Sequence, residues 1–249
     1  PCVTPAIVLR SWLFGESDKI VSFFTEAHGK VTGIAKGAAR SRRRFVNTLE
    51  LFSLVNLRFQ DRPHSTLAFV QACDPIRFFK DLTTSLEKIA YASYLVEITD
   101  GLAGEREENR RIFEHLREGL IFIEENVPSL AFLVFFELRL LKLSGYQPAL
   151  EHCRRCGKGF HEAQSPWRFS PRDGGVLCAS CSTLRREAIV LSGESLVVLA
   201  ELQKARAILP HHLSLSSAVL KEGRAALLRF LQFQANKELK STSFLDTFL

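Results

Sequence analysis

The sequence has no apolar run long enough to span a bilayer. Its richest stretch, Leu130 to Leu143, is broken by Glu137, Arg139 and Lys142, which suits a buried helix. The stretch PCVTPAIVLRSW lacks a basic region followed by an apolar core and a small-residue cleavage site. A secretion route is therefore not expected, and a cytosolic, reducing setting is. In that setting the six cysteines are not expected to pair as disulfides. Methionine is absent altogether, and there is no internal repeat or low-complexity tract. Motifs of common catalytic sites are missing too. Phe14-Gly15-Glu16-Ser17-Asp18-Lys19 lacks the glycines and spacing of a phosphate-cradling loop, and there is no G-x-S-x-G, H-E-x-x-H or G-x-G-x-x-G. Glu124 and Glu125, and the group Glu105, Glu107 and Glu108 among arginines, read as solvated charge. No catalytic residue is expected.

What is present is an ordinary globular composition, 46% apolar and 24% charged, which leaves no long stretch to disorder. The net charge of +6 is unevenly placed. The first 80 residues hold 12 Lys and Arg against 6 Asp and Glu, so they carry all of the excess. That asymmetry points to a polyanionic partner for this part of the chain.

The first 75 residues read as five short strands: Ala6 to Arg10, Ile20 to Thr25, Val31 to Ala35, Leu51 to Phe59 and Thr66 to Ala72. They are rich in Val, Ile, Phe and Thr and bounded by Gly, Asn, Asp and Pro. Five strands in so few residues suit a small barrel of the OB type, although an SH3-like barrel fits the count nearly as well. From Asp74-Pro75 the apolar spacing turns helical. Helices are expected over Ile76 to Thr99, Asn109 to Glu125, Ser129 to Ser144, Gly193 to Leu209 and Ser217 to Leu239. The expected organisation is α+β: a barrel over 1–75, then a helical domain over 76–249 with a cysteine-rich insert at 150–186.

That insert carries Cys153-Arg154-Arg155-Cys156, 21 intervening residues, then Cys178-Ala179-Ser180-Cys181. Each C-x-x-C knuckle lets two thiolates reach one tetrahedral ion, and Gly157 frees the backbone to turn beneath it. Four thiolates make a closed site, suited to one structural Zn²⁺ and leaving no open position for catalysis. Two disulfides or an iron–sulfur cluster are the alternatives. Arg154 and Arg155 are expected to offset the thiolate charge. His152 and His161 are placed on the surface, and Cys2 and Cys73 as ordinary thiols.

Between the third and fourth strands lies Lys36-Gly37-Ala38-Ala39-Arg40-Ser41-Arg42-Arg43-Arg44. Its five cations among small residues form a phosphate-seeking loop, because neutralising phosphates releases counterions. Lys19 and Lys30 would extend the patch. Phe23, Phe24, Phe45, Phe52 and Phe59 are either stacking platforms or, as their strand spacing favours, barrel core. The bland alternative for the loop is a solvated arginine run.

Taken in order, ESD, TEAHGK, AKGAAR, then CxxC and GGVLCxxC give a specific signature. With the longer stretches AIVLRSWLFGESDKIVSFFTEAHGKVTGIAKGAARSRRRF, FELRLLKLSGYQPALEHCRRCG, FSPRDGGVLCASC and LQFQANKELKSTSFL, the chain resembles the bacterial RecO family of recombination mediators over nearly its whole length. The resemblance implies an OB barrel, a helical domain and, in many members, a four-cysteine zinc ribbon. It implies binding to single- and double-stranded DNA and annealing of complementary strands. It also implies work with RecR to load RecA on strands coated by single-strand-binding protein, without nucleotide hydrolysis. The family's basic loop maps onto Lys36 and Arg40, with Arg42 to Arg44 as added charge. Members also dock the acidic tail of single-strand-binding protein, for which Arg139 and Lys142 are the suggested neighbours. The rival reading is a zinc-ribbon scaffold between proteins with an incidental basic loop. A nuclease would need clustered carboxylates for a metal pair.

Overall fold

The computed structural model describes residues 1–41, 43–160, 166–183, 185, 187–208 and 215–249. Its chain divides into two compact units, Pro1–Val127 with Ser241–Phe248, and Pro128–Lys240. This division cuts across the boundary expected at residues 75 and 76, because the first two helices group with the barrel. Among the described residues no helix is long and apolar enough to cross a membrane.

The first unit opens with five strands: β1 (Cys2–Phe14), β2 (Asp18–Thr25), β3 (Gly29–Ala35), β4 (Leu54–Gln60) and β5 (Ala68–Arg77). They close in the order β1-β2-β3-β5-β4, with a short parallel contact between β3 and β5 and β4 returning antiparallel to β1. This is the OB arrangement, and it decides between the two small-barrel readings. The core is filled by alternate side chains of every strand, among them Ala6, Val8, Val21, Phe23, Val31, Val55, Leu57, Phe59 and Val70.

Among the boundaries that differ from the sequence reading, three have a plain physical reason. β1 runs on to Phe14 because it pairs with β2 out to Phe14 opposite Asp18, with a register shift after Val8. β4 starts at Leu54 rather than Leu51, since Phe52 has φ 71°, a left-handed conformation that no strand contains. Asp74 to Arg77 extend β5 rather than begin a helix. They pair with Leu54 to Asn56, and the irregularity there accommodates Pro75.

Helix α1 (Leu86–Leu102) instead starts after Ser85, whose hydroxyl accepts the N–H of Lys88, and α2 (Arg110–Glu125) starts after Asn109, which caps Ile112. Phe24 of β2 meets Phe113 of α2 with ring centroids 6.3 Å apart.

The second unit is built on α3 (Leu130–Leu143), capped by Ser129. Strands β6 (Trp167–Ser170), β7 (Gly175–Leu177) and β8 (Ile189–Leu191) make a small sheet in the order β7-β6-β8, with the short helix α4 (Ala179–Ser182) after β7. Helices α5 (Gly193–Lys204) and α6 (Ser217–Ala235) pack on α3. Arg224 of α6 meets Glu137 of α3 at 3.4 Å, both buried, which accounts for a carboxylate inside so apolar a helix. A last short helix, α7 (Ser241–Leu245), belongs to the first unit, where the Ser241 N–H and hydroxyl donate to Glu97 of α1 at 2.7 and 2.6 Å.

Candidate metal centre and nucleic-acid interface

The chain from α3 to β6 brings the first cysteine knuckle against the second, which sits between β7 and α4. The sulfur atoms of Cys153, Cys156, Cys178 and Cys181 all lie within 4.8 Å of one another. Gly157, with φ 74°, makes the left-handed turn that lets its N–H donate to the Cys153 carbonyl at 2.9 Å. Gly175 presses on Ala149 so closely that a Cβ there would stand 2.4 Å from the Ala149 oxygen. That contact sets the first knuckle against β7, and Arg154 N–H continues it by donating to the Val176 carbonyl at 2.8 Å.

None of the six cysteines is in a disulfide. Cys156 and Cys178 have their sulfurs 3.7 Å apart, far beyond a covalent S–S distance of ~2.05 Å. Four thiolates held at ~2.3 Å from a tetrahedral ion would be ~3.8 Å from each other, so this separation fits a shared cation. The thiols also respond to one another. Burial pushes the Cys153 thiol up, but the backbone N–H groups of Cys156, Cys178 and Arg155 outweigh it and bring it to about 6. Cys181 is pushed up to about 12, first by its hydrogen bond with Cys178 and then by burial and the other sulfurs. Several thiolates at this spacing need a cation to ionise together, and the donor set fits a thiophilic metal.

The Arg155 side chain has a carboxylate partner of its own. It pairs with Asp173 at 3.1 Å, as does Arg185 at 2.8 Å, and the Ser170 hydroxyl donates to the same carboxylate at 2.6 Å. Arg154 donates to the Asp173 backbone carbonyl at 3.3 Å. Burial raises the Asp173 carboxyl, but Arg185, Ser170 and Arg155 outweigh it and hold the group at about 2. Asp173 is thus the tie between the two knuckles, and nothing in its local sequence announced it. Among the described residues no histidine joins the sulfur cluster: His152 bridges to Gly159, and His161 lies outside the described residues.

The cationic residues expected to bind nucleic acid separate into two groups. Lys36, Arg40, Arg43 and Arg44 are exposed on the β3–β4 loop, and among the described residues no carboxylate pairs with them. The Arg44 guanidinium donates to the Lys36 carbonyl at 3.0 Å and lies 5.1 Å over the Phe45 ring, tying the two ends of the basic stretch 36–44 together. Arg42 lies outside the described residues.

Lys19 and Lys30 differ from the loop residues in having carboxylate partners. Lys19 pairs with Glu50 at 3.0 Å, and Lys30 pairs with Asp100 and Glu105, both at 3.3 Å. Lys30 is also largely buried and donates to the Asp100 backbone carbonyl at 3.1 Å, so it holds α1 to the barrel. The phenylalanines take the barrel-core alternative that their strand spacing favoured. Phe23, Phe24 and Phe59 are 0% exposed, and Phe45 and Phe52 are 4% exposed. They are core, and none presents a face to a base. Among the large apolar side chains that do face solvent, Trp12, Leu13 and Phe14 stand in succession, beyond the point where the sequence reading ended the first strand. Three consecutive large apolar residues before a Gly-containing turn were the available signal.

In the second unit, Arg139 and Lys142 line a groove of about 390 Å³ together with Phe135, Leu143, Leu202, Lys204 and Arg206. Arg139 donates to the Arg206 carbonyl at 2.8 Å, and its guanidinium lies 5.9 Å over the Phe135 ring. The groove combines apolar walls with four cations, of which Lys204 is paired to Glu151.

Comparison with known proteins covers both units. Residues 2–79 match the family model for the N terminus of recombination protein O, and residues 83–243 match the one for its C terminus. A protein of Syntrophus aciditrophicus named DNA repair protein RecO is 37% identical over 250 residues, covering 98% of this chain and 94% of its own. One of the same name from Anaeromyxobacter sp. (strain K) is 34% identical, covering 96% and 94%. A third, from Caldanaerobacter subterraneus, is 30% identical, covering 97% and 96%.

Proposed function

The chain belongs to the recombination protein O (RecO) family, which gives it a role in DNA repair and recombination, and from that premise we propose that it is a DNA-binding mediator that works by binding rather than catalysis. The observation that carries the reading is the exposed, carboxylate-free cationic group Lys36, Arg40, Arg43 and Arg44 on one loop of an OB barrel. Such a loop neutralises phosphates of either single or double strands, independent of sequence. A basic surface also lowers the repulsion between two backbones brought together, which is the physical basis for annealing complementary strands.

The four-cysteine centre is read as one structural Zn²⁺, held by Cys153, Cys156, Cys178 and Cys181. The ion would supply no chemistry beyond neutralising thiolates and fastening the two knuckles. Asp173, Arg155 and Arg185 would hold the surrounding loops whether or not the ion is bound.

The partners we propose are RecR, RecA and single-strand-binding protein, as the family resemblance suggests. Loading RecA with RecR requires access to strands coated by single-strand-binding protein. The cation-rich, partly apolar groove around Arg139 and Lys142 offers a place for that protein's acidic tail. Annealing of two complementary labelled oligonucleotides tests the reading. Acceleration by the wild-type chain, lost when Lys36, Arg40, Arg43 and Arg44 are all changed to Ala, supports it. Acceleration unaffected by those changes would remove the loop from the mechanism.

A further inference from the structure

Trp12, Leu13 and Phe14 are 45%, 66% and 51% exposed at the tip of the β1–β2 hairpin. A strand in a barrel wall alternates between inside and outside, so three exposed large apolar residues in succession mean that the hairpin projects past the barrel. The register with β2 sorts them. Trp12 stands opposite Ile20 and Phe14 opposite Asp18, while Leu13 stands opposite Lys19. Trp12 and Phe14 therefore share one face, ~6.8 Å apart along the strand, about twice the ~3.4 Å rise per nucleotide of a stacked strand.

The basic loop is bonded to this hairpin. Asp18, the residue opposite Phe14, accepts the Gly37 N–H at 2.8 Å, and Ser17 in the turn accepts the Ala39 N–H at 2.9 Å through its carbonyl. The loop's cations at Lys36 and Arg40 flank these bonds directly. Two aromatic residues separated by about two base-stacking rises of backbone thus sit on a hairpin bonded to the cationic loop. The combination of stacking faces with cations is what unpaired nucleic acid is held by.

We propose that Trp12 and Phe14 form a stacking platform for the bases of single-stranded DNA whose phosphates lie along the β3–β4 loop. The proposal rests on the DNA-binding reading above and deepens it. A duplex keeps its bases stacked on one another, so the platform confers a preference for single strands.

The chain's fluorescence makes this directly measurable. It has two tryptophans, and Trp167 is only 2% exposed, so quenching by a ligand at the surface reports Trp12. The full chain is titrated with an unlabelled thymidine oligonucleotide followed by tryptophan emission, and with a labelled one followed by anisotropy. Emission is expected to be quenched on binding in wild type and not in Trp12→Ala. The double variant Trp12→Ala with Phe14→Ala is expected to bind about tenfold or more weakly, at an unchanged salt slope because no phosphate contact is lost. Trp12→Phe, which keeps a ring, is expected to stay near wild type.

Affinity of the double variant within twofold of wild type overturns the platform and leaves the hairpin to a protein partner. Equal weakening by Trp12→Phe, or a shallower salt slope in the double variant, also overturns it, since displacement of the loop then explains the loss. The quadruple loop variant separates the two readings. If it loses binding while the aromatic variant does not, DNA binding by the loop stands and the platform falls. If the wild-type chain binds no single strand, both fall.

Discussion

Asp18 accepts the backbone N–H of Gly37 at 2.8 Å, fastening the first residue of β2 to the start of the basic loop. Gly37 has φ 69°, so the loop leaves β3 through a left-handed turn that a residue with a Cβ adopts only at a cost. A flexible arginine-rich loop would lose much of its affinity to ordering on binding, and this bond orders part of it beforehand. Asp18→Ala is therefore expected to speed amide exchange over residues 37–40 and to weaken DNA binding a few-fold with the salt slope retained. Exchange rates unchanged from wild type would show that the bond does not hold the loop.

Lys30 gives the opposite expectation. Its ammonium faces Asp100 and Glu105 and is largely buried, so Lys30→Ala should act on stability rather than on phosphate binding. A loss of roughly 1–3 kcal/mol is expected from leaving the Asp100 carboxylate short of a partner, although Arg10 also pairs with it at 2.5 Å. Thermal unfolding measures the loss. An unchanged melting temperature with a shallower salt slope would return Lys30 to the DNA surface.

The aromatic residues divide in the same way. Phe59→Ala removes a fully buried ring from the barrel core and is expected to cost about 3–5 kcal/mol, whereas Trp12→Ala should change stability by less than about 0.5 kcal/mol. Chemical denaturation of the two variants beside wild type checks the contrast. Comparable destabilisation by both would mean that the hairpin tip is packed.

For the metal centre, one Zn²⁺ per chain is expected by elemental analysis, and Cys153→Ser with Cys156→Ser should lose it and destabilise the second unit. Retention of one ion per chain in that double variant would break the ligand assignment. A strong chelator should then lower the wild-type melting temperature of that unit and leave the barrel's DNA binding intact.

Asp173 adds a pH-dependent arm. Its carboxyl is held at about 2, below its ordinary 3.8, so it binds fewer protons in the folded than in the unfolded chain. The stability it contributes is complete above pH ~4 and is lost as the pH falls through about 2. Asp173→Asn is expected to release metal faster to a chelator at pH 7, because Arg155 and Arg185 lose their shared acceptor. The stability gap between wild type and variant should close on acidification from pH 4 toward 2. A gap that stayed constant over that window would show that the charge of Asp173 is not what ties the knuckles.

The barrel was legible because its strands advertise themselves locally: Val55, Leu57 and Phe59 alternate inward as their spacing says. The cysteine centre was legible for a similar reason, since two knuckles encode most of their own geometry. What escaped depended on residues distant in sequence. Lys30 looks like any surface lysine until Asp100, 70 residues on, is folded against it. Arg155 reads as a counter-charge to sulfur, and its pairing with Asp173 is visible only once the chain is folded. Asp74 to Arg77 carried a proline and a helical spacing, yet pairing with β4 made them strand. The projecting hairpin was hidden because a strand's end is set by where its partner stops, and Asp18 pairs with Phe14 past the barrel rim.

The measurement that bears most directly on the DNA-binding account is affinity for a labelled single strand over a range of salt, with wild type beside the variant in which Lys36, Arg40, Arg43 and Arg44 are Ala. Wild type is expected to bind with a steep dependence on salt. The variant is expected to bind more weakly, with a slope shallower by roughly 3, since each phosphate contact to a single strand contributes about 0.7. Equal affinities and slopes for the two proteins would contradict the loop as the DNA site, and absence of wild-type binding at low salt would contradict a DNA-binding function for this barrel.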